Sequence, residues 1–219
     1  MSTAGRIVRA DVPPIYAIVD AAVVSDSFES VSAVVAAGVS WVQLRAKSLG
    51  DRDLCLAVEA CLEISAAHGA TLWVNDRPDV AAVVGASAVH LGQDDLPPAA
   101  ARVVLGDDPW LGRSTHDLQQ VEEAHADPAV DVIAVGPVFA TSGKKNPNPV
   151  VGLELVTAAR AVTDKPIVGI GGIGAANLVQ VLAAGADSVA MIGALCRGDV
   201  GANCRALVAS AQRLEAGAC

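Results

Sequence analysis

Short β-branched apolar runs alternate with Ala/Leu-rich amphipathic stretches along the whole chain, and this alternation of periods sets the reading of the fold. The runs predict strands near Ile15–Asp20, Trp41–Arg45, Thr71–Val74, Ala88–Leu91, Trp110–Gly112, Val132–Val135, Ile167–Ile170 and Ser188–Ile192. The intervening stretches predict helices that begin near Glu29, Asp51, Pro78, Pro97, Asp117, Gly152, Ala175 and Asp199, several with an acidic cap or a first-turn proline. Ala36-Ala37-Gly38-Val39 and Ala183-Ala184-Gly185-Ala186-Asp187 each end a helix with glycine just before a new strand, which is βα-unit punctuation. Strands that are apolar on both faces and separated by helices are parallel, joined by right-handed crossovers. Eight such units favour closure into a single-domain α/β protein of the TIM (β/α)8 barrel class. An open doubly wound sheet is the second choice, because the first βα turn lacks the Gly-rich dinucleotide fingerprint.

The length of 219 residues suits one such barrel, and no linker or composition shift divides it. We read 1–219 as one domain, with 1–14 as an N-terminal extension. A hydrophobic content of 53% and a mean hydropathy of +0.46 exclude global disorder. Aromatic residues make up only 3%, so the core rests on Val, Ala, Ile and Leu. The net charge of -9 sets a field that repels nucleic acid and anionic membranes. No apolar run reaches spanning length, and Met1–Pro14 lacks the apolar stretch of a secretory signal. A cytoplasmic protein with no nucleic-acid or membrane partner is expected. Cys55, Cys61, Cys196, Cys204 and Cys219 show no Cys-x-x-Cys spacing and read as reduced structural thiols. Cys55 or Cys61 as a nucleophile is the alternative, although neither has an evident basic or helix N-terminal setting.

In a barrel of this kind the chemistry belongs at the C-terminal strand ends. The second strand runs out as Gln43-Leu44-Arg45-Ala46-Lys47, and alternation sends Gln43, Arg45 and Lys47 toward the barrel mouth. An arginine fork and a lysine charge match the oxygens of a phosphate or diphosphate, the plainer reading being a surface salt-bridge edge. Asn75-Asp76 and His90-Leu91-Gly92-Gln93-Asp94-Asp95 bring carboxylates to the same rim. These suit magnesium, which takes one or two carboxylates plus phosphate oxygens and keeps several waters. The plainer reading has Asp76 and Asp95 capping the helices that open at Pro78 and Pro97. His90 reads as a packed structural residue. Ser114 is either a ligand donor or part of a cap near Asp117.

The segment from Gly136 to Pro149 is too long and polar for a minimal βα turn. In it Thr141 and Ser142 can donate to anionic oxygens and Lys144 can neutralise a leaving group, against the plainer reading of a solvated loop. Gly169-Ile170-Gly171-Gly172-Ile173-Gly174 and Met191-Ile192-Gly193 match the phosphate cup of such barrels, where glycines let backbone amides approach an anion.

Together QLRAK at 43–47, ND at 75–76, HLGQDD at 90–95, GRSTH at 112–116, GPVFATSGKK at 136–145 and GIGGI at 169–173 closely resemble the thiamine-phosphate synthase family, over Tyr16 to about Leu195. The resemblance implies condensation of 4-amino-5-hydroxymethyl-2-methylpyrimidine diphosphate with a thiazole phosphate, or its carboxylated form, to thiamine phosphate and diphosphate. It implies that Gln43, Leu44, Arg45, Ala46, Lys47, Asn75, Ser114 and Lys144 hold the pyrimidine diphosphate, with Arg45, Lys47, Lys144 and Ser114 in catalytic roles. Asp76 and Asp95 would hold Mg2+, with Asp94 a neighbour. Thr141, Ser142, Gly143, Gly172, Ile192 and Gly193 would take the thiazole phosphate. The sequence departs from the family at two of these positions, since Gly143 stands where a second Thr is frequent and Gly193 where a Ser is frequent. The family also suggests a homo-oligomer. Two rivals stay open: a thiazole tautomerase, which would not need the paired acids, and a noncatalytic sensor of phosphorylated ligands.

Overall fold

Every strand of this chain faces two ways, and the two faces carry different side chains. The computed structural model describes residues 7–141 and 148–217. Its strands are β1 (Ile15–Asp20), β2 (Trp41–Arg45), β3 (Thr71–Asn75), β4 (Ala88–Leu91), β5 (Trp110–Thr115), β6 (Val132–Val135), β7 (Ile167–Ile170) and β8 (Ser188–Met191). They pair in parallel in sequence order, and β8 closes on β1 through Ile15↔Val189 to give a closed barrel. The helices are α1 (Ser27–Ala36), α2 (Asp51–Ala66), α3 (Pro78–Val84), α4 (Pro98–Leu105), α5 (Leu118–Ala126), α6 (Gly152–Val162), α7 (Leu178–Ala183), α8 (Gly193–Cys196) and α9 (Val200–Gly217).

Outward-facing positions such as Val19, Val42, Leu44, Leu72 and Val74 pack with Val31 and Val34 of α1 and Leu54 and Val58 of α2 in the larger core. Fully burying each such side chain stabilises the fold by about 1.5–3 kcal/mol, so this layer supplies most of the driving force. Inward-facing positions one residue out of phase form a second core around Tyr16, Ile18, Trp41, Trp73, Val132 and Val168. The chain has three tryptophans and one tyrosine. All four rings meet inside the barrel, with Trp41 and Trp73 at 4.9 Å and Tyr16 and Trp73 at 5.4 Å between centroids. This scarce aromatic bulk is concentrated where it plugs the lower interior, leaving space only toward the C-terminal strand ends.

At the opposite end, acids placed just before strands tie the floor together. Asp131 Oδ2 accepts from the Leu111 amide at 2.8 Å and from Arg102 Nη2 at 2.6 Å. Asp187 repeats the arrangement with the Ile167 amide at 2.8 Å, Arg160 at 2.9 Å and Arg9 at 2.8 Å. Residues 7–14 of the expected extension lie against this floor: Arg9–Asp11 form a short 3-10 turn and Val12 joins the inner core.

Several boundaries differ from the sequence reading for identifiable reasons. β3 and β5 run on through Asn75 and through Arg113-Ser114-Thr115, whose polarity hides strand that the ladder keeps paired, as in Asn75↔His90 and Ser114↔Ala134. α7 starts at Leu178 rather than Ala175, because Asn177 Oδ1 takes the Gly174 amide at 2.8 Å and holds an intervening turn. α1 starts at Ser27 because Asp26 accepts from the Phe28 and Glu29 amides. β8 stops at Met191, and the short α8 that follows was not expected. Among the described residues no helix is long and apolar enough to cross a membrane. Cys61 and Cys204 are buried, and burial pushes both thiols up to about 12, which removes Cys61 as a nucleophile. Cys219 lies outside the described residues.

Candidate active site at the C-terminal strand ends

Above the aromatic plug opens a cavity of about 470 Å³, with Tyr16, Ile18, Ala134, Val168 and Ala190 in its floor and polar residues on its walls. An apolar floor beneath a few convergent polar groups is the usual form of a small-molecule site.

β2 supplies one wall. Gln43 lines the cavity as expected but sits deep in it, buried, and its Nε2 donates to the Tyr16 hydroxyl at 2.6 Å. Burial pushes that phenol well above its ordinary pKa, so it stays protonated. Arg45 forms an ion pair with Asp20, the buried last residue of β1. Leu44 and Ala46 point away from the cavity into the outer core, so only their backbones are on offer to a ligand.

Lys47 reaches across to β3, where its Nζ lies 2.6 Å from Asp76 Oδ2. Asp76 has φ of 63°, a left-handed conformation that non-glycine residues adopt at a cost, aspartate and asparagine less so than most. Its amide donates to the His90 carbonyl at 2.8 Å, which fixes the turn. Asp95 comes from the loop after β4, its Oδ2 accepting from the Gly92 amide at 2.6 Å. Neither acid caps a helix. The N-cap positions of α3 and α4 are Arg77 and Pro97, and neither makes a side-chain cap bond.

The two carboxyls face each other and split in acidity. Burial opposes ionisation of Asp76, but the hydrogen bond from Lys47, then Asp95 and Asn75, hold its carboxyl below the ordinary aspartate range. Burial and the neighbouring Asp76 push Asp95 above that range. Such a like-charge pair is relieved by a shared proton or by a cation. Among the described residues no group of three or more His, Cys, Asp or Glu forms a self-sufficient cage. A pair of carboxylates that leaves positions open to phosphate oxygens and waters fits magnesium.

β4 and β5 build the opposite wall. His90 is buried, as expected of a packed histidine, yet its ring also lines the cavity and its Nε2 lies 2.9 Å from Ser114 Oγ. Glycine at 112 makes this possible, since a Cβ there would sit 2.4 Å from the His90 ring. Ser114 therefore faces the cavity and does not cap α5. That cap is Asp117, and Thr115 bonds the Ala134 carbonyl instead. Gln93 holds the Ser114 carbonyl at 2.5 Å, and His116 Nδ1 lies 2.5 Å from the Gly136 carbonyl. Asp20, Tyr16, Gln93 and His116 were absent from the sequence-derived site. The period of two would have found Asp20 from Tyr16 and Ile18, and His116 from Gly112 and Ser114.

The remaining wall is the β6 and β7 side. Val138 and Phe139 donate backbone bonds to Ile170 and Gly171, zipping the start of the long loop onto the glycine turn. Gly172 has φ of 65° and a Cβ there would meet the Ala140 carbonyl at 2.5 Å, so only glycine permits this approach. Thr141 follows directly, half-buried, and Asn148 lines the cavity. Ser142, Gly143 and Lys144 lie outside the described residues. Ile192 lines the cavity and Gly193 opens α8 beside it.

The family model described as thiamine monophosphate synthase matches residues 15–195. The chain belongs to the thiamine monophosphate synthase family. A thiamine-phosphate synthase of Koribacter versatilis is 43% identical over 190 residues, 82% of this chain and 87% of that protein. One of Acidothermus cellulolyticus is 45% identical over 164 residues, 74% and 77% of the two chains. The solved thiamine phosphate pyrophosphorylase of Pyrococcus furiosus superposes with a TM-score of 0.84 at 28% identity, covering 91% of this chain and 96% of that one. Residues of QLRAK, ND, HLGQDD and GRSTH, all within the matched span, line one cavity.

Proposed function

We propose that this member of the thiamine monophosphate synthase family joins the pyrimidine diphosphate to the thiazole phosphate, releasing thiamine phosphate and diphosphate. The observation that carries the reading is the juxtaposition of the Asp76 and Asp95 carboxyls with Lys47 and Arg45 above an apolar floor. Phosphate-binding cations, a pair of metal-compatible acids and a surface for a flat heterocycle are what a diphosphate leaving group on a methylene attached to an aromatic ring requires.

Asp76 and Asp95 would hold Mg2+, which supplies positive charge against the departing diphosphate. Arg45 and Lys47 add donors to the same oxygens, and the family resemblance would add Lys144, which lies outside the described residues. Ser114, held by His90 and Gln93, and Asn75 orient the pyrimidine edge. The aminopyrimidine is electron-rich enough to carry a methylene cation as its C–O bond breaks, and the thiazole nitrogen then captures it. The chain's task is to keep the thiazole against that carbon and water away from it, so no strong general base is needed.

The test is incubation of purified protein with both substrates, following diphosphate by coupled assay and thiamine phosphate by mass. Equal amounts of both products, dependent on magnesium, support the reading. Folded, substrate-binding protein that forms neither overturns it. Isomerisation of a thiazole carboxylate phosphate without the pyrimidine substrate would establish the tautomerase instead.

A further inference from the structure

Arg113 is a half-buried arginine that no carboxylate matches. Gly112 and Ser114 face the cavity, so the period of β5 sends Arg113 to the outer face, where its ladder neighbours Leu91 and Ile133 belong to the outer core. Elsewhere in the barrel such arginines lie against acids, Arg102 against Asp131 and Arg160 against Asp187. Among the described residues Arg113 forms no ion pair. Burial pulls its pKa down, against the more distant charges of Asp95, Asp127 and Asp94. Its donors go instead to the segment after β4. Nη1 donates to the Gly92 carbonyl at 2.6 Å and Nη2 to Gln93 Oε1 at 3.4 Å.

Those two acceptors belong to the turn that carries Asp95. The Asp95 amide closes the turn on the Gly92 carbonyl at 3.3 Å, the same oxygen that Arg113 holds. The Gly92 amide donates to Asp95 Oδ2 at 2.6 Å, which fixes the direction of the carboxyl. Gln93 in turn donates to the Ser114 carbonyl at 2.5 Å, so the turn is tied to β5 at two successive residues. Gly92, Gln93 and Asp95 line the cavity, and Arg113 stands behind them.

We propose that Arg113 is a positioning residue that clamps the Gly92–Asp95 turn from outside the cavity and so aims the Asp95 carboxyl at a divalent cation shared with Asp76. Only the identity of that cation as magnesium rests on the synthase reading. A charged donor on a carbonyl is stronger and shorter than a neutral one, which suits it to hold a turn that must not shift. Groups that orient a metal ligand without touching the metal are worth about 10–100-fold in metal affinity.

The test titrates Mn2+, a paramagnetic probe of the cation site, into wild type, Arg113→Met and Arg113→Lys, reading the free ion by electron paramagnetic resonance. Each protein is also melted in chelator. Methionine keeps an unbranched apolar stem and drops the donors, and Gly92 keeps the Asp95 amide on its carbonyl. Mn2+ affinity should fall about tenfold in Arg113→Met and less in Arg113→Lys, which returns one charged donor. The metal-free melting midpoint of Arg113→Met should hold or rise, because an unmatched cation leaves an apolar layer. That split is one that a merely structural arginine would not give. Equal Mn2+ affinity in all three proteins overturns the proposal. So does a loss of affinity that comes with a lowered melting midpoint, failure of Arg113→Met to fold included. Wild type that binds Mn2+ through Arg113 but forms no thiamine phosphate would sink the synthase reading and leave this one standing. Thiamine phosphate formation with a Mn2+ affinity that Arg113 does not influence would do the reverse.

Discussion

Both ends of this barrel carry aspartates at strand termini, but they are treated differently. At the floor, Asp131 and Asp187 each accept a strand amide and pair with arginines, Arg102 for the one and Arg160 and Arg9 for the other. At the mouth, Asp76 and Asp95 face one another, share Lys47 as their nearby cation, and Asp76 holds a left-handed backbone. The floor acids are satisfied by the fold itself. At the mouth, burial and the neighbouring Asp76 work against ionisation of Asp95, and a bound cation would relieve that opposition. Perturbed acidity and backbone strain gathered at one end mark that end as the place of chemistry.

The comparison breaks most visibly if a floor acid is removed. Asp131→Ala leaves a part-buried Arg102 without its carboxylate and the Leu111 amide without its acceptor. It should cost about 3 kcal/mol of stability. A fall in denaturation midpoint with kcat/KM unchanged at low temperature is the expected pattern, and loss of activity in protein that stays fully folded would contradict it. The mouth should respond in the opposite way. Asp76→Asn keeps a residue that tolerates the left-handed turn, so its melting should shift by about 1 kcal/mol or less, Lys47 being half exposed. Its kcat/KM should fall about 100-fold, on the scale of losing one preorganised electrostatic group.

A smaller effect sharpens the contrast through pH. A carboxyl with a raised folded-state pKa, as at Asp95, favours folding most at low pH and loses that contribution as pH rises through the raised value. For Asp76 the sign is reversed, its contribution being lost only as pH falls through its depressed value. In chelator, wild type should therefore lose stability relative to Asp95→Asn as pH rises from about 4 toward 7. Parallel melting curves for the two proteins across that range would show that Asp95 is unperturbed.

Much of the barrel was legible because apolar runs and glycine punctuation carry a strong period. The failures have a common cause. Asn75 and Ser114 are strand residues that face the cavity, so their polarity reads as loop although the ladder continues through them. His90 was readable as a buried, bonded histidine, but its place beside Ser114 depends on Gly112 in the next strand, a contact that one strand's sequence does not contain. The pairing of Asp20 with Arg45 likewise crosses strands. Rim positions Arg45, Lys47, Asp76 and Asp95 were legible because a barrel of known polarity places strand-end polar residues together. Leu44 and Ala46 came only with their motif, and their side chains belong to the outer core.

The most direct test of the account is the dependence of thiamine phosphate formation on magnesium concentration in wild type, Asp76→Asn and Asp95→Asn. Turnover that requires magnesium in wild type and needs at least about tenfold more of it in each variant is the predicted result. Turnover without magnesium, or the same magnesium dependence in all three proteins, would contradict it.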